Sequence, residues 1–345
     1  MSNTIEKNFI EEIKELLNSA KEQVKTTINL AMVYTYYEIG RRIVNHEQNG
    51  ENRADYGKEI LKNLSNELTK EFGKGYSVDN LELMRKFYLI YKNDQISETV
   101  FPKSQHLPKT VDGRRFFIGW AHYVKLITIS NPNERHFYEI ESYSNNWSFR
   151  ELKRQVDSCL YERLALSRDK EGIMELSQKG QVIEKPMDAI KNPYVLNFLE
   201  LREDERYSEK DLENRIINKL QDFLLELGKG FTFVKRQMRL TFDDQHFYAD
   251  LVFYNRLLKC FVVIDLKTKS LTHQDIGQMQ MYVNYFDRNI KLEDENKTIG
   301  ILLCKEKNDA VVELTLPIDN DSIFASKYEM VLPTKEELIE VIKEK

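Results

Sequence analysis

Asp250, Asp265 and Lys267 are the residues whose types and spacing could do chemistry. They sit in two runs rich in Val, Ile, Phe and Tyr, 246–254 and 259–268, separated by Asn255-Arg256-Leu257-Leu258, so the runs read as adjacent strands joined by a short turn. A period of two puts Asp250 on a face with Tyr248 and Val252, and Asp265 and Lys267 on a face with Phe261 and Val263. Charges thus interrupt strands that otherwise look buried, and a buried carboxylate is costly unless it is paired, hydrogen-bonded or bound to a metal. Hard cations such as Mg²⁺ take oxygen ligands, typically one or two carboxylates with waters and phosphate oxygens. Asp250 and Asp265 would supply two, and the backbone carbonyl of Leu266 a third. Lys267, on the side of Asp265, would orient or help deprotonate an attacking water and offset charge at phosphorus. That set suits metal-dependent phosphodiester hydrolysis, with Mg²⁺ as the expected cofactor and Mn²⁺ as a substitute. A buried ion pair is the plainer use of the same residues.

The elements that must position these residues lie on both sides of them. Ser208 and Asp211 open a helix that runs through Leu212, Ile216, Leu220, Phe223 and Leu227 to Gly228-Lys229-Gly230. A strand at 231–241 precedes the two central ones, Thr272 starts a helix to Arg288, and 298–304 is a buried strand. The order is helix, three strands, helix, strand.

Upstream the pattern is helical. Apolar residues from Ile5 to Ala31 recur at helical spacing in one long helix over 5–47, a bundle scaffold or dimer seam. A second helix spans Gly57–Phe72, and Ser77 caps a third through Tyr91. The turn Gly73-Lys74-Gly75-Tyr76 between them lacks the preceding strand a phosphate loop needs, but the outline also fits a helix-turn-helix reader of DNA. Residues 94–113, with Pro102, Pro108 and Gly113, read as a loop. Helices follow at 114–129, 132–143 and from Ser148 through Leu160. His122 and His136 lack ligand-spaced partners, and Trp120 and Trp147 read as core. The division is a helical domain over 1–166, a polar linker over 167–192 and an α/β domain over 193–345.

Composition bounds the rest. A chain of 345 residues, 41% hydrophobic and 31% charged, can bury a sizeable core, and no apolar run approaches the roughly 20 residues that span a bilayer. With no signal-like N-terminus, a cytoplasmic protein without a membrane partner is expected. The net charge of −5 argues for no global attraction to nucleic acid, although segments 103–163 and 235–269 are locally basic. Cys159, Cys260 and Cys304 are too scattered for a zinc site or a disulfide framework and read as buried small residues.

Asp250, fourteen intervening residues, then Asp265-x-Lys267 resembles the PD-(D/E)xK nuclease signature on its αβββαβ core. The context is more specific: Phe247-x-x-Asp250-Leu251-x-Phe253-Tyr254, Val263-Ile264-Asp265-Leu266-Lys267 and Gly277-Gln278-Met279-x-x-Tyr282 are similar to the YhcG family of bacterial PD-(D/E)xK proteins. So are Tyr37-Glu38-Ile39-Gly40-Arg41, Tyr56-Gly57, Phe72-Gly73-Lys74-Gly75-Tyr76-Ser77, Arg85-x-Phe87-Tyr88 and Trp147-Ser148-x-Arg150-Glu151-Leu152, so the resemblance covers nearly the whole chain. One departure is Asp265, where the family usually has Glu. The resemblance implies a multidomain protein, an all-helical N-terminal domain and a restriction-endonuclease-like α/β core. Gln278 and Tyr282 resemble the Gln-x-x-x-Tyr motif that lines the active site of RecB-like nucleases, and Glu213 matches the extra acid that some nucleases of this class bring to a second metal or a bound water. It further implies a nuclease, DNA favoured over RNA, in a defence, restriction-associated or DNA-processing setting. A homodimer or higher oligomer is expected from the long first helix and from the superfamily's use of paired active sites. The rival is a binding or assembly module on an inactive nuclease fold.

Overall fold

The structure is a computed structural model that describes residues 2–49, 54–93, 110, 114–166, 168, 170–191, 193–201, 206–242, 244–331 and 333–343. All but one residue of the 94–113 loop expected from the sequence lies outside them. Contacts group the chain into two compact units, residues 1–154 with 177–180, and 155–176 with 181–345.

In the first unit, α1 (Ser2–Asn49), α2 (Ala54–Phe72) and α3 (Val78–Tyr91) precede α4 (Trp120–Leu126) and α5 (Pro132–Ser144). The C-terminal part of α1 carries the core: Tyr37 meets Phe87 of α3 and Phe116 edge-on or tilted, and Phe87 in turn touches Trp120 and Tyr123 of α4. Gly40 permits the close approach of α1 to α3, since a Cβ there would lie 2.1 Å from the Met84 carbonyl oxygen. Segment 114–119 is not helical as its sequence suggests. Phe116 donates its N–H to the Tyr34 hydroxyl at 2.8 Å and Phe117 donates to that of Tyr123 at 3.3 Å, so tertiary bonds replace helical ones. The exposed positions of α3 are Asp79, Glu82 and Lys86, and Arg85 is tied to Glu47 at 2.7 Å, so this helix mixes acids with its cations and offers no row of cations for a DNA groove. His122 bonds the Trp147 carbonyl, as a structural histidine would.

The second unit is built on a six-stranded mixed sheet of order β1-β6-β5-β4-β3-β2, with β1 at Tyr194–Val195, β2 at Phe231–Phe242, β3 at Gln245–Asn255, β4 at Cys260–Ser270, β5 at Ile299–Glu306 and β6 at Ile323–Glu329. The first three long strands are antiparallel. From β4 onward pairing is parallel, and the β4–β5 crossover is α11 (His273–Asn289), as parallel pairing requires. Leu212, Phe223 and Leu227 cover one sheet face, against Leu251, Phe253, Val262 and Ile264. Ile276, Met279 and Phe286 cover the other, against Val252, Val263 and Leu302. The expected order of helix, three strands, helix and strand is present, and the sheet extends past it by β6 and the short β1.

Breaks appear where an unbroken apolar period predicts continuous helix. The helix expected through Leu227 divides at Lys219 into α9 (Glu209–Asn218) and α10 (Leu220–Leu227); both halves bury the same face, so the period does not reveal the joint. The helix expected from Ser148 divides into α6 (Phe149–Asp157) and α7 (Leu160–Ala165), with Cys159 left-handed at φ 49°. Arg163, wholly buried, holds that break: its Nε donates to the Ser158 carbonyl at 2.8 Å, and its guanidinium makes a two-pronged pair with Glu226 of α10 at 2.5 and 3.3 Å. Glu226 also accepts from the Val195 N–H at 2.9 Å. This network draws residues 155–165 into the second unit, so the unit boundary falls within α6. Within 167–192, the polar linker expected from the sequence, Lys170–Lys179 is a helix, α8, and Ala189 and Ile190 belong to the sheet core. The three cysteines are buried, as expected.

Removing one member of a buried pair leaves an uncompensated charge. Glu226→Ala is therefore expected to lower the stability of the second unit by about 3–5 kcal/mol, read as a shift in the urea midpoint of its unfolding transition.

Candidate active site

The three charged residues meet where the sheet splits. β3 pairs with β4 only from Asn255↔Cys260 to Leu251↔Ile264. N-terminal to Leu251, β3 stays beside β2 and leaves β4, while β4 runs on beside β5. Asp250 is the first residue past the fork. Its Oδ2 accepts the Leu266 N–H at 2.9 Å and so replaces the backbone acceptor that β3 no longer offers. The N–H and C=O of one strand residue point to the same edge, so the Leu266 carbonyl looks into the same gap. The period of two used on the sequence fails here. Ala249 and Val252 both pack in the α11 core although they are three apart, and Tyr248 is exposed, so Asp250 marks a break in alternation.

Asp265, 3% exposed, lies on β4 across the gap. Its Oδ2 is 2.8 Å from Lys267 Nζ, yet the direction is not that of a hydrogen bond, and this oxygen has no hydrogen-bond partner among the described residues. Burial, and next the charge of Asp250, push the Asp265 carboxyl up to about 7 against the pull of Lys267. Burial disfavours the Lys267 ammonium, but the carboxylates around it outweigh burial and raise its pKa above the ordinary range. Asp275 at the start of α11 is one of them, 3.5 Å from Nζ, and Asp275 is itself fixed by the Thr272 N–H at 2.9 Å.

The other residues singled out from the sequence surround this pair. Gln278 donates to the Tyr282 hydroxyl at 2.5 Å, and Tyr282 donates to the Tyr248 carbonyl at 3.0 Å, so α11 grips β3 two residues before Asp250. Burial, followed by the nearby Asp265 charge, pushes the Tyr282 phenol up to about 12. Glu213 of α9 reaches the pair through an intermediary: Gln237 Nε2 donates to Glu213 Oε2 at 2.7 Å and to Asp250 Oδ1 at 3.0 Å, and Arg236 lies 3.0 Å from the second Glu213 oxygen. Among the described residues no three His, Cys, Asp or Glu side chains stand together as a metal site.

Gln237 is the residue that reading the sequence misses. Its φ of +45° turns it out of the regular β2 ladder, between the pairs Arg236↔Leu251 and Met238↔Ala249. The available signal is its position, three residues into the run after Val234, opposite Asp250 once the strands are registered.

The arrangement fits a divalent cation. Two carboxylates face each other, one buried oxygen lacks a hydrogen bond, and a main-chain carbonyl points into the same gap, which matches the few-carboxylate, oxygen-only donor set that Mg²⁺ accepts.

The raised Asp265 pKa has a definite sign. Between the ordinary carboxylate value of 3.8 and about 7, the folded protein holds a proton that the unfolded chain has lost. In EDTA, stability is expected to fall as pH rises through that window. Asp265→Asn is expected to flatten this dependence in thermal melts at pH 5 and pH 8, and a slope unchanged in the variant contradicts the assignment.

Residues 187–343 match the model of the YhcG PDDEXK nuclease domain, and residues 12–163 match that of the DUF1016 N-terminal domain. Two solved structures are similar to part of the chain. A repair endonuclease from Pyrococcus abyssi covers 39% of this chain and 50% of its own at 18% identity, with a TM-score of 0.25. An EndoMS–dsDNA complex covers 39% and 51% at 15% identity, with a TM-score of 0.27. Superpositions that loose bear no weight beside the sequence match. Over 342 residues the chain is 39% identical to the YhcG protein of Escherichia coli (strain K12), a match that spans 94% of this chain and 90% of that one. With both halves matched and the full-length identity at this level, the chain belongs to the YhcG family of proteins with a PDDEXK nuclease domain.

Proposed function

We propose that this chain is a divalent-cation-dependent nuclease that hydrolyses phosphodiester bonds, DNA in preference to RNA, at Asp250, Asp265 and Lys267. The observation that carries the reading is the apposition of Asp250 and Asp265 in the gap between β3 and β4, with Lys267 at 2.8 Å. The two carboxylates and the Leu266 carbonyl would hold Mg²⁺, or Mn²⁺ in its place. Bound there, the cation supplies Lewis-acid polarisation of the phosphoryl oxygens and counter-charge. Lys267, 2.8 Å from Asp265, orients the attacking water or helps deprotonate it and offsets charge at phosphorus. Gln237, set by Glu213, fixes the Asp250 carboxylate. Gln278 and Tyr282 are positioning residues that hold the backbone of β3. The name of the Escherichia coli relative, that of a nuclease, supports the reaction class. A cytoplasmic role in defence, restriction or DNA processing accompanies this reading; among the described residues no helix is long and apolar enough to cross a membrane.

We further propose a homodimer through α1. Ile10, Leu17 and Val24 recur every seven residues with Ile13 and Ala20 between them, and all five are exposed, which is the spacing of a two-helix seam.

Incubated with plasmid, linear and single-stranded DNA and with RNA, the protein is expected to cleave in Mg²⁺ or Mn²⁺ and not in EDTA. Asp265→Ala and Lys267→Ala should each slow cleavage by about 10²-fold or more. If both variants cut like wild type the site is misassigned; salt-sensitive binding without cleavage under any cation favours the binding-module reading instead. For the dimer, sedimentation equilibrium should give two copies for wild type and one for Leu17→Glu/Val24→Glu with unchanged helical circular dichroism. A wild-type monomer at micromolar concentration removes the seam.

A further inference from the structure

Past the fork, residues 236–242 of β2 and 245–250 of β3 continue as a two-stranded ribbon that β4 does not accompany. Its two faces differ. Met238, Leu240, Phe247 and Ala249 pack into the core with α11, and Phe242 stacks on Phe247 at 4.9 Å, which anchors the ribbon. The register places Arg239 opposite Tyr248 and Thr241 opposite His246 on the other face, all four exposed. At the inner end of that row the Gln237 amide bonds the Asp250 carboxylate.

Tyr248 is a large aromatic residue left 48% exposed, on a backbone that Tyr282 pins through the Tyr248 carbonyl. Two residues of strand, about 7 Å, separate it from Asp250. The Arg239 guanidinium is laid along the face by Thr241 at 3.2 Å and His246 at 2.8 Å, neither of them a carboxylate. An exposed aromatic ring on a pinned backbone beside a cation is the donor set for a nucleotide, in which the ring stacks on a base and the guanidinium meets a phosphate. A base in a duplex is stacked on both sides, so only an unpaired nucleotide can offer its face to the ring. Asp244 at the exposed ribbon tip repels phosphate and closes the footprint there.

We propose that this ribbon face binds an unpaired nucleic-acid segment next to the scissile phosphate, with a base on Tyr248 and a phosphate on Arg239. The proposal rests on the nuclease reading and gives it a substrate form, single strands or duplexes with frayed or flapped ends. Tyr248 and Arg239 are binding and positioning residues, not catalytic ones.

The test is anisotropy of dye-labelled 20-nucleotide single-stranded DNA, the same sequence as RNA, and a blunt duplex, with the full chain in Ca²⁺ in place of Mg²⁺. Wild type should bind both single strands more tightly than the duplex. Tyr248→Ala should weaken single-strand binding about 5- to 100-fold, and Tyr248→Phe should restore it, which a merely structural role of the ring would not require of the binding constant. Arg239→Gln should lower the slope of log affinity against log salt by about 0.7. The side chains are exposed, and equal thermal melts confirm that the variants fold. Duplex preference, or Tyr248→Ala binding as wild type, overturns this inference while Asp265-dependent cleavage leaves the nuclease reading standing. If wild type binds none of the three probes and cuts no nucleic acid, both fall together.

Discussion

Asp265 is nearly sealed from water and faces Asp250, and like charges so placed are stable only when a proton or a cation stands between them. Much of the second unit can be understood as holding that unfavourable arrangement in place. The Leu266 N–H and the Gln237 amide take both oxygens of Asp250. Lys267 sits against Asp265, and Asp275 against Lys267, so negative and positive charge alternate from Asp265 through Lys267 to Asp275 at the start of α11. Each contact offsets part of the repulsion, yet burial and the Asp250 charge still push the Asp265 carboxyl up to about 7. That residual imbalance makes the gap a poor structural ion pair, and a divalent cation would neutralise it.

How far this could be read from the sequence follows from the range of each interaction. The strands of the core were legible because β-branched and aromatic runs are local, and α11 because Thr272 and Asp275 form a capping box within four residues. Asp250, Asp265 and Lys267 stood out because charge in such runs is conspicuous. Gln237 did not, because its role depends on a cross-strand register and on a positive φ that no neighbouring residue announces. The joint at Lys219 stayed hidden because both half-helices bury one face. The non-helical stretch before α4 was misread because its amide partners, the Tyr34 and Tyr123 hydroxyls, include one that is 82 residues away. Polar composition over 167–192 suggested a linker, although polarity there reflects exposed faces of a helix and a turn.

Arg163 and Glu226 show the same limit from another side. Neither residue looks remarkable in sequence, and buried ions are not in themselves stabilising. Here the guanidinium answers a specific need: the left-handed turn at Cys159 frees the Ser158 carbonyl, and Arg163 takes it while Glu226 takes the charge and reaches on to Val195 of the edge strand. A break in one helix, the end of another and the first strand of the sheet are thereby fixed by two side chains. This is why the compact unit begins inside α6, well before the composition changes.

The departure of β3 from β4 has two consequences that cannot be separated. It opens the gap in which Asp250 replaces a backbone acceptor, and it releases 245–250 to run with β2 as a ribbon. Were β3 to stay paired with β4 through Phe247, the Leu266 N–H and carbonyl would be consumed by the ladder and Asp250 would have no place between the strands. The ribbon, for its part, needs a grip once β4 is gone, and Tyr282 provides it at the Tyr248 carbonyl with Gln278 behind it. The residues of the Gln-x-x-x-Tyr pattern therefore act on the carboxylates from a distance, by fixing where the strand leaves the sheet. The exposed face that results begins at the carboxylates themselves, with Gln237 bonded to Asp250 at its inner end.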